Sequence, residues 1–139
     1  MKHWRLWGAA LISVTLIALC AAAVRSALKE QAQSKRDAAY KLALNSYSAV
    51  LKPGMTRKEV ESYLRAKALG FQRMCCIDER SAFADLVKIG SEDAPWYCSE
   101  QNIYVAFQFA GVEPHEALKV SDSDSLKRVT IFRWLEGCL

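Results

Sequence analysis

Histidine is almost missing from this 139-residue chain, and so are the short motifs that announce most catalytic chemistry. His3 lies in the N-terminal apolar segment, and His115 stands alone beyond it, in the polar stretch Glu113-Pro114-His115-Glu116. Any triad would have to use His115; Asp78, Asp85 or Asp93 could supply its acid, but no nucleophile elbow presents a serine. There is no Gly-rich phosphate loop and no Cys-x-x-Cys pair, so nucleotide binding and thioredoxin-like exchange lack their sequence basis. Acidic residues are plentiful, yet no spacing selects a glycosidase-type pair. The expectation is a protein that is not an enzyme, with no cofactor, no metal and no identifiable small-molecule substrate. A basic stripe is absent too. The formal charge is +4, and setting Lys2 and Arg5 aside leaves 17 cations against 15 acids, interspersed along the chain. That balance argues against a nucleic-acid partner.

What is present begins at the N-terminus. Lys2, His3 and Arg5 lead into residues 6–24, an apolar run without a charged side chain. Nineteen residues at ~1.5 Å each match a bilayer core, so a spanning helix is expected over residues 1–24, as an anchor or a signal segment. Ala21-Ala22-Ala23 could serve as a signal cleavage site, but the run exceeds the usual signal centre and Arg25 follows directly, which favours a retained signal anchor. Cys20 follows the bulky Leu19, which disfavours a lipidated cysteine. The cations after residue 24 outnumber those before it and would keep the C-terminal part in the cytoplasm. The short basic start and the cysteines place it outside instead: a single-pass protein of the bacterial inner membrane, its C-terminal domain in the periplasm.

Residues 25–38 read as a solvated helical stalk, and residues 39–139 as one α+β extracytoplasmic domain. Tyr40, Leu44, Tyr47 and Leu51 mark one helix face, and Lys52-Pro53-Gly54 a turn. Thr56 with Glu59 forms a capping box, stapled by Met55 and Val60, so a second helix starts at Arg57. Val60, Leu64 and Ala68 line its buried side, and Gly70 is placed to end it in a left-handed cap. Beyond Gly70 the pattern alternates. Residues 71–77, 84–89, 103–109 and 126–135 are β-rich, giving two helices packed on a three- to four-stranded antiparallel sheet. Trp96, Tyr97, Phe107, Phe109, Phe132 and Trp134 could line a groove, although core packing is the commoner role.

Helix, Gly54-Met55-Thr56-Arg57-x-Glu59-Val60 with Leu64 beyond, helix and antiparallel sheet together resemble the small envelope proteins of the BamE (SmpA/OmlA) type and the related β-lactamase-inhibitor-protein fold. Those proteins are usually lipoproteins, and their second helix commonly runs into Leu-Gly-x-Pro, where this chain has Leu69-Gly70-Phe71-Gln72. The resemblance implies a non-enzymatic binding or assembly module whose partner is another envelope protein.

Cys75, Cys76, Cys98 and Cys138 make an even set, the arithmetic of two disulfides. A vicinal Cys75–Cys76 bridge is strained, so one of the two is expected to join Cys98 and the other Cys138. The alternative function is thiol redox or metal handling by these four cysteines, with His115 as an extra zinc ligand.

Overall fold

The computed structural model describes residues 2–75, 77, 83–110 and 120–139, with side chains from residue 16 onward. Its elements are α1 (Lys2–Val50), α2 (Arg57–Ala66), β1 (Gln72–Met74), β2 (Ala84–Glu92), β3 (Glu100–Ala110) and β4 (Ser125–Glu136). The chain divides into two compact units, Met1–Ala39 and Tyr40–Leu139. The architecture is α+β: two helices and a four-stranded antiparallel sheet of order β1-β2-β3-β4.

The N-terminal expectation is corrected. Among the described residues no helix is long and apolar enough to cross a membrane. Of the apolar run, side chains are described only for residues 16–24. Nine residues make ~13.5 Å of helix, less than half of a ~30 Å hydrocarbon core, and Arg25 ends the stretch. The transmembrane part of the fold and the single-pass inner-membrane placement with a periplasmic domain are overturned by this finding. In the same unit, Gln33 accepts from Arg36 at 2.9 Å and donates to Asp37 at 3.3 Å, the neighbouring-turn pairs of a polar helix surface.

In the second unit, Tyr40, Leu44, Tyr47 and Leu51 recur at helical spacing on α1; Tyr40 and Leu51 are buried, and Leu44 and Tyr47 pack against the main core. Lys52 C=O accepts the Met55 N–H at 3.2 Å, closing the turn that holds Pro53. On α2, Val60 and Leu64 are fully buried and join Val87, Val105, Phe107, Phe109 and Leu126 in one cluster. Tyr47 meets the Phe107 ring edge-on at 5.5 Å. The end of α2 differs from the expected one. Leu69 N–H reaches Leu64 C=O at 3.0 Å and Ala68 N–H reaches Arg65 C=O at 2.9 Å. This is a Schellman closure in which Ala68, at φ +54°, is the left-handed residue, and Gly70 has no such role. The position is fixed by where Leu69 must stand to pack on the core.

β3 is the central strand: Asn102 to Phe109 are buried on both faces, and it pairs along its length with β2 and β4. Val105, Phe107 and Phe109 face the helices, while Tyr104 and Ala106 form a second cluster on the other face with Ala84, Leu86, Met74 and Phe132. β1 covers only three residues of β2, Ala84 to Leu86.

Candidate functional site

Each end of the sheet is braced by a different device. At the end where β2 and β4 begin, α2 contributes Arg57, fully buried at its first turn. Its Nη1 donates to Asp85 Oδ1 at 2.8 Å, its Nε to Asp124 Oδ2 at 3.2 Å and its Nη2 to Phe83 C=O at 2.7 Å. The guanidinium carbon stands 3.9 Å from the centre of the Phe109 ring. Arg73 extends the cluster, contacting Asp85 at 3.4 Å and Glu61 at 2.6 Å, and Arg65 holds the other Glu61 oxygen at 2.6 Å. Burial pushes the Asp85 carboxyl above the ordinary aspartate range, against the pull of Arg57 and Arg73. Asp85 Oδ2 is buried with no partner among the described residues. The other groups are engaged by protein partners, so the cluster clamps α2, β2 and the approach to β4 together.

Thr56 and Glu59 sit beside this clamp. The Glu59 carboxylate accepts the Thr56 N–H at 2.7 Å, and Thr56 Oγ1 accepts the Glu59 N–H at 3.3 Å. The Thr56 hydroxyl, which also donates to Glu59 Oε2 at 2.7 Å, and then the Thr56 N–H hold the Glu59 carboxyl below its ordinary range. The sequence reading missed Arg57 as the centre of the arrangement. One signal was present: residues 57, 60 and 64 follow helical spacing, so Arg57 lies on the same buried face as Val60 and Leu64.

At the opposite end, where β2 and β4 finish, Cys98 is bonded to Cys138 across 40 residues. This corrects the expected connectivity, in which each of these residues joined Cys75 or Cys76. The register explains the pairing: Glu100 lies opposite Glu136, which brings the residues just before β3 beside those just after β4. Cys75 is also disulfide-bonded. Cys76, Asp78 and His115 lie outside the described residues. Among the described residues no group of three or more His, Cys, Asp or Glu is placed to hold a metal ion.

The bridge fixes a turn. Cys98 N–H donates to Pro95 C=O at 2.9 Å, Leu139 N–H to Tyr97 C=O at 2.9 Å, and Ser99 N–H to Glu136 C=O at 3.0 Å. Gly137 takes φ +61°, which favours glycine, and a Cβ there would displace the Ser99 hydroxyl from its bond to the Glu136 carbonyl. At the tip, Trp96 is 89% exposed and Tyr97 43%, their rings edge to face at 5.8 Å. Of the six aromatic residues singled out in the sequence, Phe107 and Phe109 are core, Phe132 is half-buried, and Trp96, Tyr97 and Trp134 are exposed. Between Lys88 and Lys119 there is no Lys or Arg, while Glu92, Asp93 and Glu100 lie close to the turn in sequence. In the fold Glu92 pairs with Arg133 at 3.9 Å and Glu100 faces Lys88 at 4.0 Å, so the character of the tip is set by its aromatic rings. It offers contact surface.

Set against protein-family models, curated proteins and solved structures, the chain matches none of them.

Proposed function

We propose that this protein is a non-enzymatic binding and assembly module that docks another protein on its disulfide-held aromatic turn. The observation carrying this reading is Trp96: a large apolar ring, 89% exposed, on backbone tied down by the Cys98–Cys138 bridge and three nearby hydrogen bonds. An unsupported tryptophan costs solubility and ordering entropy, whereas one fixed in place has its binding conformation already set. Tryptophan and tyrosine are also the residues that most often dominate binding energy at interfaces. The partner surface that fits is an apolar pocket that takes the two rings. The likeness of residues 54–60 and Leu64 to the BamE-type element points the same way. The redox or metal reading has no comparable support: Cys98 and Cys138 are bonded to each other and Cys75 is itself in a disulfide.

A photo-crosslinking residue placed in the producing cell at position 96 or 97, and separately at exposed Lys58 on α2, tests this. The same discrete protein adduct is expected from both turn positions and not from position 58. Adducts from position 58 alone, or none from the turn, would overturn the reading. With the crosslinked protein purified, Trp96→Ala should weaken its binding by at least ~2 kcal/mol.

A further inference from the structure

β4 is an edge strand of 12 residues, and most of its outer side is open among the described residues. Only its beginning is covered: Gly54 N–H donates to Leu126 C=O at 2.8 Å, and Leu126 N–H to Met55 C=O at 2.7 Å. After Glu136 the chain turns back toward the β2–β3 connection through the Cys98–Cys138 bridge, away from that edge. Long edges are ordinarily protected by proline, by central charges or by a covering element, because their backbone groups invite another strand. β4 has no proline, and its centre, Val129-Thr130-Ile131-Phe132, is uncharged and half-buried.

We propose that β4 pairs antiparallel with β4 of a second copy of this chain, with Phe132 on the two-fold axis, joining two four-stranded sheets into one of eight. The inference is independent of the aromatic-turn reading. An axis perpendicular to the sheet maps each face onto itself, so odd residues of one copy meet odd residues of the other, and even meet even. Leu126 already uses its outward groups, so a partner strand running through Glu136 stops opposite Lys127 at the latest. The longest permitted overlap then places Arg128 opposite Glu136 of the second copy. Val129 meets Leu135, Thr130 meets Trp134, and Phe132 meets itself.

Charge selects the same register. Arg128 faces Glu136 twice, once at each end of the ribbon, and no like charges meet. The next shorter overlap stacks Arg133 on Arg133, and a longer one drives the second copy's Glu136 against Leu126 and the Pro53–Thr56 turn. Within one copy both groups lean toward β3: Tyr104 Oη donates to Glu136 Oε1 at 3.0 Å and Arg128 Nε donates to Gln108 Oε1, and bonds from Asn102 and Tyr104 hold the Glu136 carboxyl below its ordinary range, so both are charged and need only turn to the open edge to meet. Trp134 and Leu135, 42% and 37% exposed, are the side chains that Thr130 and Val129 of the second copy would cover.

Sedimentation equilibrium of the full chain should give a dimer. Arg128→Glu and Glu136→Arg, each shown to fold by circular dichroism, should each weaken the dimer by about tenfold or more, since each sets two like-charged pairs face to face. The double variant restores opposite charges across the axis and should return to the parental dissociation constant; a misfolding effect would add instead. With the free, exposed Cys20 first changed to serine, single cysteines at 131, 132 and 133 read the register under mild oxidation, and only Phe132→Cys should give a covalent dimer. A monomer at all accessible concentrations, a double variant no better than either single one, or crosslinking at 131 or 133 in preference to 132 would each overturn the proposal.

Discussion

Arg57 and Asp85 meet at 2.8 Å with neither side chain in contact with solvent. Such a pair holds only because other groups share the charge: Asp124 and the Phe83 carbonyl on Arg57, Arg73 on Asp85. Removing one member leaves a buried charge uncompensated, which costs about 3 to 5 kcal/mol. Arg57→Met should be the worse variant because it takes the guanidinium from two carboxylates, leaving Asp85 with Arg73 and Asp124 with no cation among the described residues, where Asp85→Leu leaves a guanidinium that keeps Asp124 and the Phe83 carbonyl. Combining the two should cost clearly less than their sum in urea unfolding. Additive losses would show that the pair is not coupled.

The helix cap carries a pH signature. Glu59 is held below the ordinary glutamate value of 4.5 by the hydroxyl and N–H of Thr56. A carboxyl whose folded pKa is depressed binds its proton less readily folded than unfolded, so its stabilising effect is present above pH 4.5 and lost as pH falls through the folded value. Glu59→Gln should flatten that part of the stability curve below pH 4.5 and leave the curve above neutrality unchanged in shape. Thr56→Ala, which removes the cap itself, should cost ~1 kcal/mol at neutral pH. An unchanged acid limb in Glu59→Gln would place the titration elsewhere.

Gly90 is needed for space. A Cβ there would stand 2.9 Å from Cε1 and 3.0 Å from Oη of Tyr40, at the register shift in β2. Gly90→Ala should therefore destabilise by about 1 to 3 kcal/mol through overpacking. Most of that loss should vanish when measured against Tyr40→Leu as the parent. If the cost is the same in both backgrounds, the collision is not its cause.

What could be read from the residues was local. The Tyr40 to Leu51 face, the Thr56–Glu59 cap and the alternation of β3 and β4 each depend on spacings of two to four residues, and the sequence displays those directly. What escaped was set by distance along the chain or by competition between neighbours. Asp85 and Asp124 lie 28 and 67 residues from Arg57, so only the folded sheet brings them to α2. Gly70 is the better left-handed residue by itself, yet α2 ends earlier, because Leu69 packs on the core and Ala68 must take the positive φ. Four cysteines could be counted, but their pairing follows from Glu100 standing opposite Glu136, which is a matter of register.

That pairing yields the sharpest chemical test. Cys98 and Cys138 close a loop across 40 residues, and opening a loop of that length should cost roughly 4 kcal/mol by restoring entropy to the unfolded chain. Cys138→Ser should therefore lower the urea midpoint strongly. It should also expose one new thiol, at Cys98, when the denatured protein is alkylated without reductant and its peptides are sequenced by mass spectrometry. New labelling at Cys75 instead would show that Cys138 bridges there. The loss should concentrate at the turn, because the bridge braces only the end of the sheet farther from Arg57. Amide exchange should quicken at Trp96, Tyr97 and Ser99 while Val105 and Phe107 in the middle of β3 stay protected. A partner held by Trp96 should then bind the reduced or Cys138→Ser protein more weakly, since the tryptophan has to be ordered at the moment of binding. Equal affinity for both forms would separate the disulfide from recognition and leave it a brace for the sheet alone.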